Sequence, residues 1–182
     1  MTTQPIAGNQ NFTGITNAAA QLSELNVGKI TAASIDGKLT EFTLVGYAPT
    51  GFASAAVGAK LNLNKAPGLP QASATTDANL LRIPKRVKVV SVYATNNGTT
   101  ITSGGAAVLD VGLNAALATS PSPLSLDDTP IASCNTGVLG MTGAGGTGDA
   151  GTTTETFGAV EVKTAALTAG DLKVRITLMA LP

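Results

Sequence analysis

The sequence predicts an all-β protein, an antiparallel β-sandwich of the single jelly-roll type with an extended N-terminal arm. About seven or eight short runs of β-prone residues follow one another along the chain. Glycine- and asparagine-containing turn sequences separate many of them, and no long segment has helical periodicity. Many short strands without long helices favour a sandwich over any arrangement of alternating helices and strands.

Residues 1–28 are expected to form the extended arm, because they are polar and small with isolated apolar side chains. Only Asn17–Leu25 has a helical pattern, with Asn17 as a possible N-cap, and so short a helix is not stable alone in water. The arm is therefore predicted to become ordered on another surface. Its predicted interface anchors are the five scattered apolar residues Ile6, Phe12, Ile15, Leu22 and Leu25.

Residues 29–182 are expected to form the sandwich domain, beginning with two strands at 29–35 and 39–45. Asp36-Gly37 between them suits a tight hairpin turn. In the second strand Phe42 and Leu44 share one face, which is the pattern of a half-buried strand.

Residues 46–79 are rich in Ala, Gly, Pro and Asn and are expected to form a long connection. A short strand is possible around Leu61 and Leu63. The length of this connection leaves open whether the strands before residue 46 belong to the main sandwich.

The central strand is predicted at 86–95, where β-branched residues alternate over the first half and apolar residues occupy both faces over the second. A short β-prone segment at 99–102 and a strand at 107–113 follow. Turns at 96–98 and 103–105 separate them. Consecutive strands joined by tight turns predict an antiparallel meander.

Between 113 and 156 the pattern is weaker. One helical turn is expected at 114–118, before prolines interrupt it, and a short strand at 130–134. Residues 137–154 are predicted to be a loop rich in glycine and threonine.

The last two strands are predicted at 157–164 and 172–178, with a turn at 168–171 between them. Val160 and Val162 share a face of the first. In the second, four apolar residues share one face, and Lys173, Arg175 and Thr177 lie opposite them; the four are Leu172, Val174, Ile176 and Leu178.

The residue inventory argues against an enzyme and against a bound cofactor or metal. The chain has no His, which removes a Ser-His-Asp triad and metal sites built on Cys and His. Cys134 is the only cysteine, so no internal disulfide can form, and it is predicted to be a small buried residue. No signal peptide or apolar run of membrane-spanning length is recognisable, which predicts synthesis in a cytoplasm.

Charged residues make up 12% of the chain, about half the usual share, and the formal net charge is zero. A free monomer with this surface would lack the self-repulsion that keeps proteins apart in solution. We infer that neighbouring molecules cover much of the surface. The alternative is a small secreted or crystal-forming domain that Thr, Ser and Asn keep soluble.

For three local motifs, a purely structural interpretation is stronger than a functional one. Gly143–Gly148 spells a dinucleotide-binding loop, but no helix or βαβ unit follows it, so a flexible surface loop is predicted. Asp127-Asp128 and the pair Asp149 and Glu155 are expected to stabilise turns rather than bind calcium.

The third motif is a basic cluster of Arg82, Lys85, Arg86 and Lys88. A nucleic-acid surface needs a basic excess and often aromatic residues, and this chain has neither, so no nucleic-acid partner is expected. A polar strand edge or a salt contact to an acidic neighbour is the preferred interpretation.

Three segments together resemble small jelly-roll capsid components of large icosahedral double-stranded DNA viruses, such as penton or minor capsid proteins. They are Ile83–Tyr93, Asn96–Thr99 and Ala107–Leu113, where an "IP" introduces a strand, followed by "NNGT" and "DVGL". Decoration and fibre proteins of tailed phages are similar as well.

The resemblance implies a virion protein that assembles with other capsid proteins and with itself, with a pentamer as one expected form. It implies no site residues. The second hypothesis is a carbohydrate-binding or adhesion module that uses the loops around 137–154, although the scarcity of Trp and Tyr argues against sugar binding.

Overall fold

The computed structural model describes residues 41–141 and 152–181. They form strands, one short α-helix and one 3-10 helix at Phe52–Ser54. No helix in these two ranges has the length and hydropathy needed to cross a bilayer. The strands are β1 Glu41–Tyr47, β2 Lys60–Asn62, β3 Arg82–Ile83, β4 Val87–Asn96, β5 Thr102–Ser103, β6 Val108–Asn114, β7 Ser122–Pro130, β8 Val138–Met141, β9 Thr156–Lys163, β10 Leu167–Ala169 and β11 Leu172–Ala180, and the helix is α1 Ile131–Thr136.

Two antiparallel sheets form the sandwich. Sheet I has the strand order β1-β11-β4-β8, and sheet II has the order β2-β9-β6-β7, with β3 also paired to β9. The chain crosses between the sheets repeatedly, so that only β6 and β7 are consecutive partners within one sheet. A further two-stranded sheet pairs β10 with β5. A four-stranded and a five-stranded antiparallel sheet connected in this way are a jelly roll, which confirms the predicted fold class.

The predicted meander is wrong. Strand β4 is bonded to β11 and β8 of sheet I, whereas β6 lies in sheet II. The chain therefore leaves sheet I at 96–98, passes through β5, which pairs with β10, and enters sheet II after 103–105. Turn residues report a change of direction, and they do not report which strand becomes the partner.

The core lies between the sheets and is aliphatic. The four apolar residues of β11 are fully buried, as predicted. Across the sandwich they face the buried residues of sheet II, among them Leu109, Val111, Val160 and Val162. Strand β9 thereby confirms its predicted pattern.

Strand β4 contains a β-bulge, which explains its apolar residues on both faces. Thr177 pairs with Ser91 and the next residue, Leu178, pairs with Val89, so Val90 is the extra residue. The bulge shifts the alternation by one residue. Val89 and Val92 are consequently both buried in the core although they are three apart.

Two predictions after β6 are wrong. Residues 131–134 belong to helix α1, and Pro130 is the last residue of β7. Pro130 precedes the helix with a φ of −59°, and Gly137 ends the helix with a φ of 89°. Pro130 provides a φ suited to a helix start. Asn114 ends β6, and residues 115–118 form bends and a turn instead of a helical turn, with a φ of 54° at Ala118.

Strand β7 was missed by the sequence interpretation. It contains Pro123 and is the edge strand of sheet II, where a residue without an N–H is tolerated. Its register against β6 shifts on both sides of Val111. These irregularities hide the alternating pattern on which the sequence argument depends.

Strand β1 pairs with β11 along its whole length, so it belongs to the main sandwich. The predicted strand 29–35 and its turn at Asp36-Gly37 lie outside the described residues. The connection after β1 contains β2, close to the short strand suspected at Leu61 and Leu63.

The side chains of Leu63 and Leu81 occupy the core between two glycines of opposite sheets. A Cβ on Gly46 of sheet I would lie 2.6 Å from Leu81 Cδ2, and one on Gly158 of sheet II would lie 2.9 Å from the same atom. Only glycine at both positions leaves room for the two leucines.

Candidate functional site

The outward surface of sheet I, here called the bare face, carries a row of four side chains that crosses all four strands. Val45 of β1 pairs with Arg175 of β11, Arg175 pairs with Tyr93 of β4, and Tyr93 pairs with Leu139 of β8. Paired residues of neighbouring strands project on the same side of a sheet. The four residues therefore form one continuous apolar and cationic strip.

A second row runs beside the first and is polar. It consists of Thr43, Thr177 and Ser91, and the hydroxyls of Thr43 and Thr177 lie 3.3 Å apart. Together the seven residues of the two rows line a shallow depression of about 680 Å³. The depression is open and polar along one side, which suits contact with a protein surface better than enclosure of a small molecule.

Leu139 and Tyr93 are the apolar part of the bare face. Leu139 is 58% exposed and is one of two large hydrophobic residues that the described ranges leave exposed. The end of helix α1 positions Tyr93, because a Cβ on Gly137 would lie 2.0 Å from the Tyr93 hydroxyl oxygen. Gly137 is thus required both for its positive φ and for the tyrosine ring beside it.

Charge on sheet I is mainly positive. Its strands carry Lys88, Lys173 and Arg175 against one acidic residue, Glu41. Arg175 is exposed and forms no ion pair with any residue of the described ranges. A guanidinium beside a half-buried aromatic ring is a common feature of protein interfaces.

The outward surface of sheet II, here called the covered face, lies under two loops of the same chain, at 65–79 and 115–121. A small apolar cluster of Ala72, Leu80 and Phe157, with Leu117 packed against it, joins the loops to the sheet. Phe157 is only 4% exposed although it faces away from the main core.

Side-chain amides reinforce this cover. Asn62 donates to Asn114 Oδ1 at 3.1 Å, and its own Oδ1 accepts from the Gln71 amide at 3.3 Å and the Ala118 N–H at 3.0 Å. Asn62 and Asn114 are both buried. Buried amides need such partners, and here the partners come from both loops.

Three carboxylates surround one lysine at the other end of the covered face. Lys163 Nζ lies 2.5 Å from Asp110 Oδ2, 3.0 Å from Asp128 Oδ1 and 3.5 Å from Asp127 Oδ1. The buried Asp110 also accepts the Asp128 N–H at 2.8 Å. Hydrogen bonds to Asp110 and Asp128 raise the pKa of Lys163 above its ordinary value.

The three carboxylates are close enough to one another to hold a metal ion. The ammonium group of Lys163 already supplies a positive charge among them. The cluster is therefore a built-in ion network. The turn predicted at Asp127-Asp128 corresponds to the irregular part of β7, where Asp128 has a φ of 45°.

The basic sequence cluster does not form one patch. Arg82 lies in sheet II, where it pairs with Glu155, donates to the Thr75 carbonyl and lies 5.6 Å from the centre of the Phe157 ring. Lys88 lies in sheet I. The ion pair of Arg82 is formed within the same chain.

Cys134 is fully buried beside the core, which confirms that prediction. Burial raises the pKa of its thiol to about 11, so it remains protonated at neutral pH.

Several predicted features lie outside the described residues. They are the five arm anchors, the glycine motif 143–148 and Asp149. Part of the loop predicted at 137–154 is instead strand β8. Sequence reasoning did not select Tyr93 or Leu139, and the only signal was the rarity of aromatic residues in this chain.

Solved structures of phage capsids contain chains similar to this one. A chain from the capsid of Ralstonia phage GP4 matches with a TM-score of 0.51 and 13% identity, covering 80% of this chain and 86% of that chain. The acid-stable capsid of Helicobacter pylori bacteriophage KHP30 gives a TM-score of 0.43 and 16% identity, with 80% and 95% covered. The cyanophage Pam1 capsid asymmetric unit gives 0.35 and 20%, with 87% and 98% covered.

The first of these comparisons shows a shared fold. No protein-family model and no curated protein sequence matches the chain.

Proposed function

We propose that this chain is a structural protein of a virus particle that assembles into the capsid shell and catalyses no reaction. The observation that carries the proposal is the jelly-roll fold shared with a chain of a phage capsid. The neutral composition supports it, since a surface with so little charge is suited to contact with neighbours.

The contacts with neighbouring shell proteins are assigned to the bare face. Its strip of Val45, Arg175, Tyr93 and Leu139 combines the aromatic, aliphatic and arginine side chains that are typical of interface centres. The covered face lacks such a strip because its own loops occupy the apolar positions.

Within the shell, we propose a role as a penton or minor capsid component that forms homo-oligomers, with a pentamer as the expected assembly at a fivefold vertex. A decoration role on a phage shell is the second candidate, favoured by the phage origin of the similar capsid structure. Removal of the protein from purified particles distinguishes the two, because a shell without vertex components opens, whereas a shell without decoration stays closed.

Replacement of Leu139 by Asp tests the bare face. The matched control is Val57→Asp, because Val57 is exposed to 56% compared with 58% for Leu139 and lies in a loop outside the bare face. Both variants should keep their free energy of unfolding within about 0.5 kcal/mol of the wild type. We expect only Leu139→Asp to lose incorporation into particles.

Incorporation is measured as the amount of the chain that co-purifies with assembled particles. Equal incorporation of the two variants would contradict the assignment of contacts to the bare face. A wild-type chain that never enters particles would overturn the proposed function itself.

Deletion of residues 1–28 tests the arm. The sandwich should remain folded, and incorporation should fall because the five apolar anchors are lost. A truncated chain that enters particles as well as the full chain would end the arm hypothesis.

A further inference from the structure

Among the described residues, strand β1 is an edge strand of sheet I, and its outward side is largely open. At its end, Tyr47 exchanges two backbone hydrogen bonds of 2.8 Å with Asn64, and the next residue, Ala48, donates to Leu172 of β11. Alternate residues of a strand direct their N–H and C=O groups to opposite sides. Glu41, Thr43 and Val45 therefore direct theirs outward, away from β11.

Within the described ranges, no backbone group bonds to the outward N–H and C=O groups of these three residues. Five residues from Glu41 to Val45 leave an unpaired edge of about 17 Å. Protein edges are usually protected by lysine, proline, a bulge or a covering segment. This stretch has no lysine, no proline and no bulge.

The apolar side chains at this edge are incompletely covered. Phe42 and Leu44 face the core but remain half-buried, whereas their β11 partners Leu178 and Ile176 are fully buried. Leu61 of β2, which lies at the opposite end of sheet II from β7, is also only half-buried. An added strand would bond to the open backbone groups and cover apolar surface at the same time.

We propose that the open edge of β1 binds residues 29–35 from a second copy of this chain as an additional strand. This inference rests on the proposed function, because it specifies how the N-terminal region joins neighbouring copies. The segment KITAASI, predicted from the sequence to be a strand, contains the strand formers Ile30, Thr31 and Ile35. It lies a few residues before β1, so each copy would offer both an edge and a strand.

Hydrogen-bond geometry favours the second copy over the same chain. If a two-residue turn at Asp36-Gly37 joined the two strands, residues 35 and 38 would form a hydrogen-bonded pair. Hydrogen-bonded pairs would then recur at every second residue, so Phe42 would direct its backbone groups toward residues 29–35 of its own chain. In the structure Phe42 directs its backbone groups toward β11. A strand that arrives from another molecule is not restricted by that turn.

Cross-linking tests which chain supplies the strand. In the full-length protein with Cys134→Ala, Thr43→Cys is combined with Ile30→Cys, Thr31→Cys or Ala32→Cys and oxidised. Non-reducing electrophoresis should show a covalent dimer or larger species for at least one pair. A cross-link confined to a single chain, or none for all three pairs, overturns the inference.

A proline on the edge tests the backbone bonds. Thr43→Pro removes one outward N–H, and Thr43→Ala is the matched control, because it also loses the Thr177 hydroxyl contact but keeps the N–H. We expect Thr43→Pro to weaken self-association, followed by light scattering against concentration, by about tenfold relative to Thr43→Ala. Equal association of the two variants, or a wild type that stays monomeric, overturns the inference.

These measurements use the purified chain and are independent of particles. A chain that cross-links between copies but never enters particles would contradict the proposed function and leave the inference standing. A chain that enters particles without any cross-link between copies would support the proposed function and contradict the inference.

Discussion

The two outward surfaces of the sandwich are both formed by antiparallel strands, but in the described ranges loops of the same chain cover only that of sheet II. On sheet II, loops of the same chain cover Phe157 and join the buried amides of Asn62 and Asn114. On sheet I, Tyr93 and Leu139 lie in an open depression. The comparison teaches that, within the described ranges, the chain covers one face with its own loops and leaves open the face that we propose contacts a neighbour.

The same contrast holds for charge. The covered face neutralises its charged groups internally, as Lys163 does with three carboxylates and Arg82 with Glu155. The bare face keeps Arg175 without an ion-pair partner in the described ranges. Mutations on the covered face should therefore affect folding, and mutations on the bare face should affect assembly.

The largest expected effect is that of Phe157→Ala on the covered face. Removal of this buried ring leaves a cavity under both loops and should lower the free energy of unfolding by about 3 kcal/mol. The comparison variant is Leu139→Ala on the bare face, expected to change it by less than about 0.5 kcal/mol. Urea denaturation measures both, and equal losses would remove the distinction between the faces.

Asn62→Ala is expected to cost about 2 kcal/mol, because Asn114, Gln71 and the Ala118 N–H each lose a partner. Hydrogen exchange should accelerate in the covering loops at 65–79 and 115–121. Thr43→Ala on the bare face, which loses only an exposed hydroxyl contact, is the control. Unchanged exchange in both loops would show that the apolar cluster alone holds them.

An arginine on each face gives a smaller and direct comparison. Arg82→Ala loses the Glu155 ion pair, the Thr75 carbonyl and the Phe157 ring contact, and should cost about 1 kcal/mol. Arg175→Ala should leave stability within about 0.5 kcal/mol of the wild type. Thermal unfolding resolves the difference, and a larger loss for Arg175→Ala would reveal a partner on the bare face.

The smallest expected effect is a pH dependence of the Lys163 cluster. The folded state raises the pKa of Lys163 above its ordinary value of 10.5, so folding favours the protonated amine. Its contribution is complete below that ordinary value and is lost as the pH rises through the raised pKa. The stability difference between the wild type and Lys163→Met should shrink in alkaline solution, and a constant difference would contradict this account.

Local patterns predicted much of the fold. Strict alternation identified the buried residues of β11 and β9 and the half-buried, core-facing Phe42 and Leu44 of β1. Prediction failed where regular alternation is interrupted, at Pro123 in β7, and where Pro130 starts a helix instead of a strand. Strand β7 is defined by its pairing with β6, and the start of the helix depends on the backbone angle at Pro130. Neither is visible in the local sequence pattern.

The sequence by itself determined the fold class, the aliphatic core and the burial of Cys134, because period-two alternation and composition are local properties. Only the tertiary structure decided that β4 and β6 lie in different sheets and which outward face is covered. Alternation of apolar and polar residues shows that a strand has two different faces, but it does not show which part of the molecule covers each face. The cover on sheet II depends on bonds such as Asn62 to Asn114, across 52 positions of the chain, which no local pattern records.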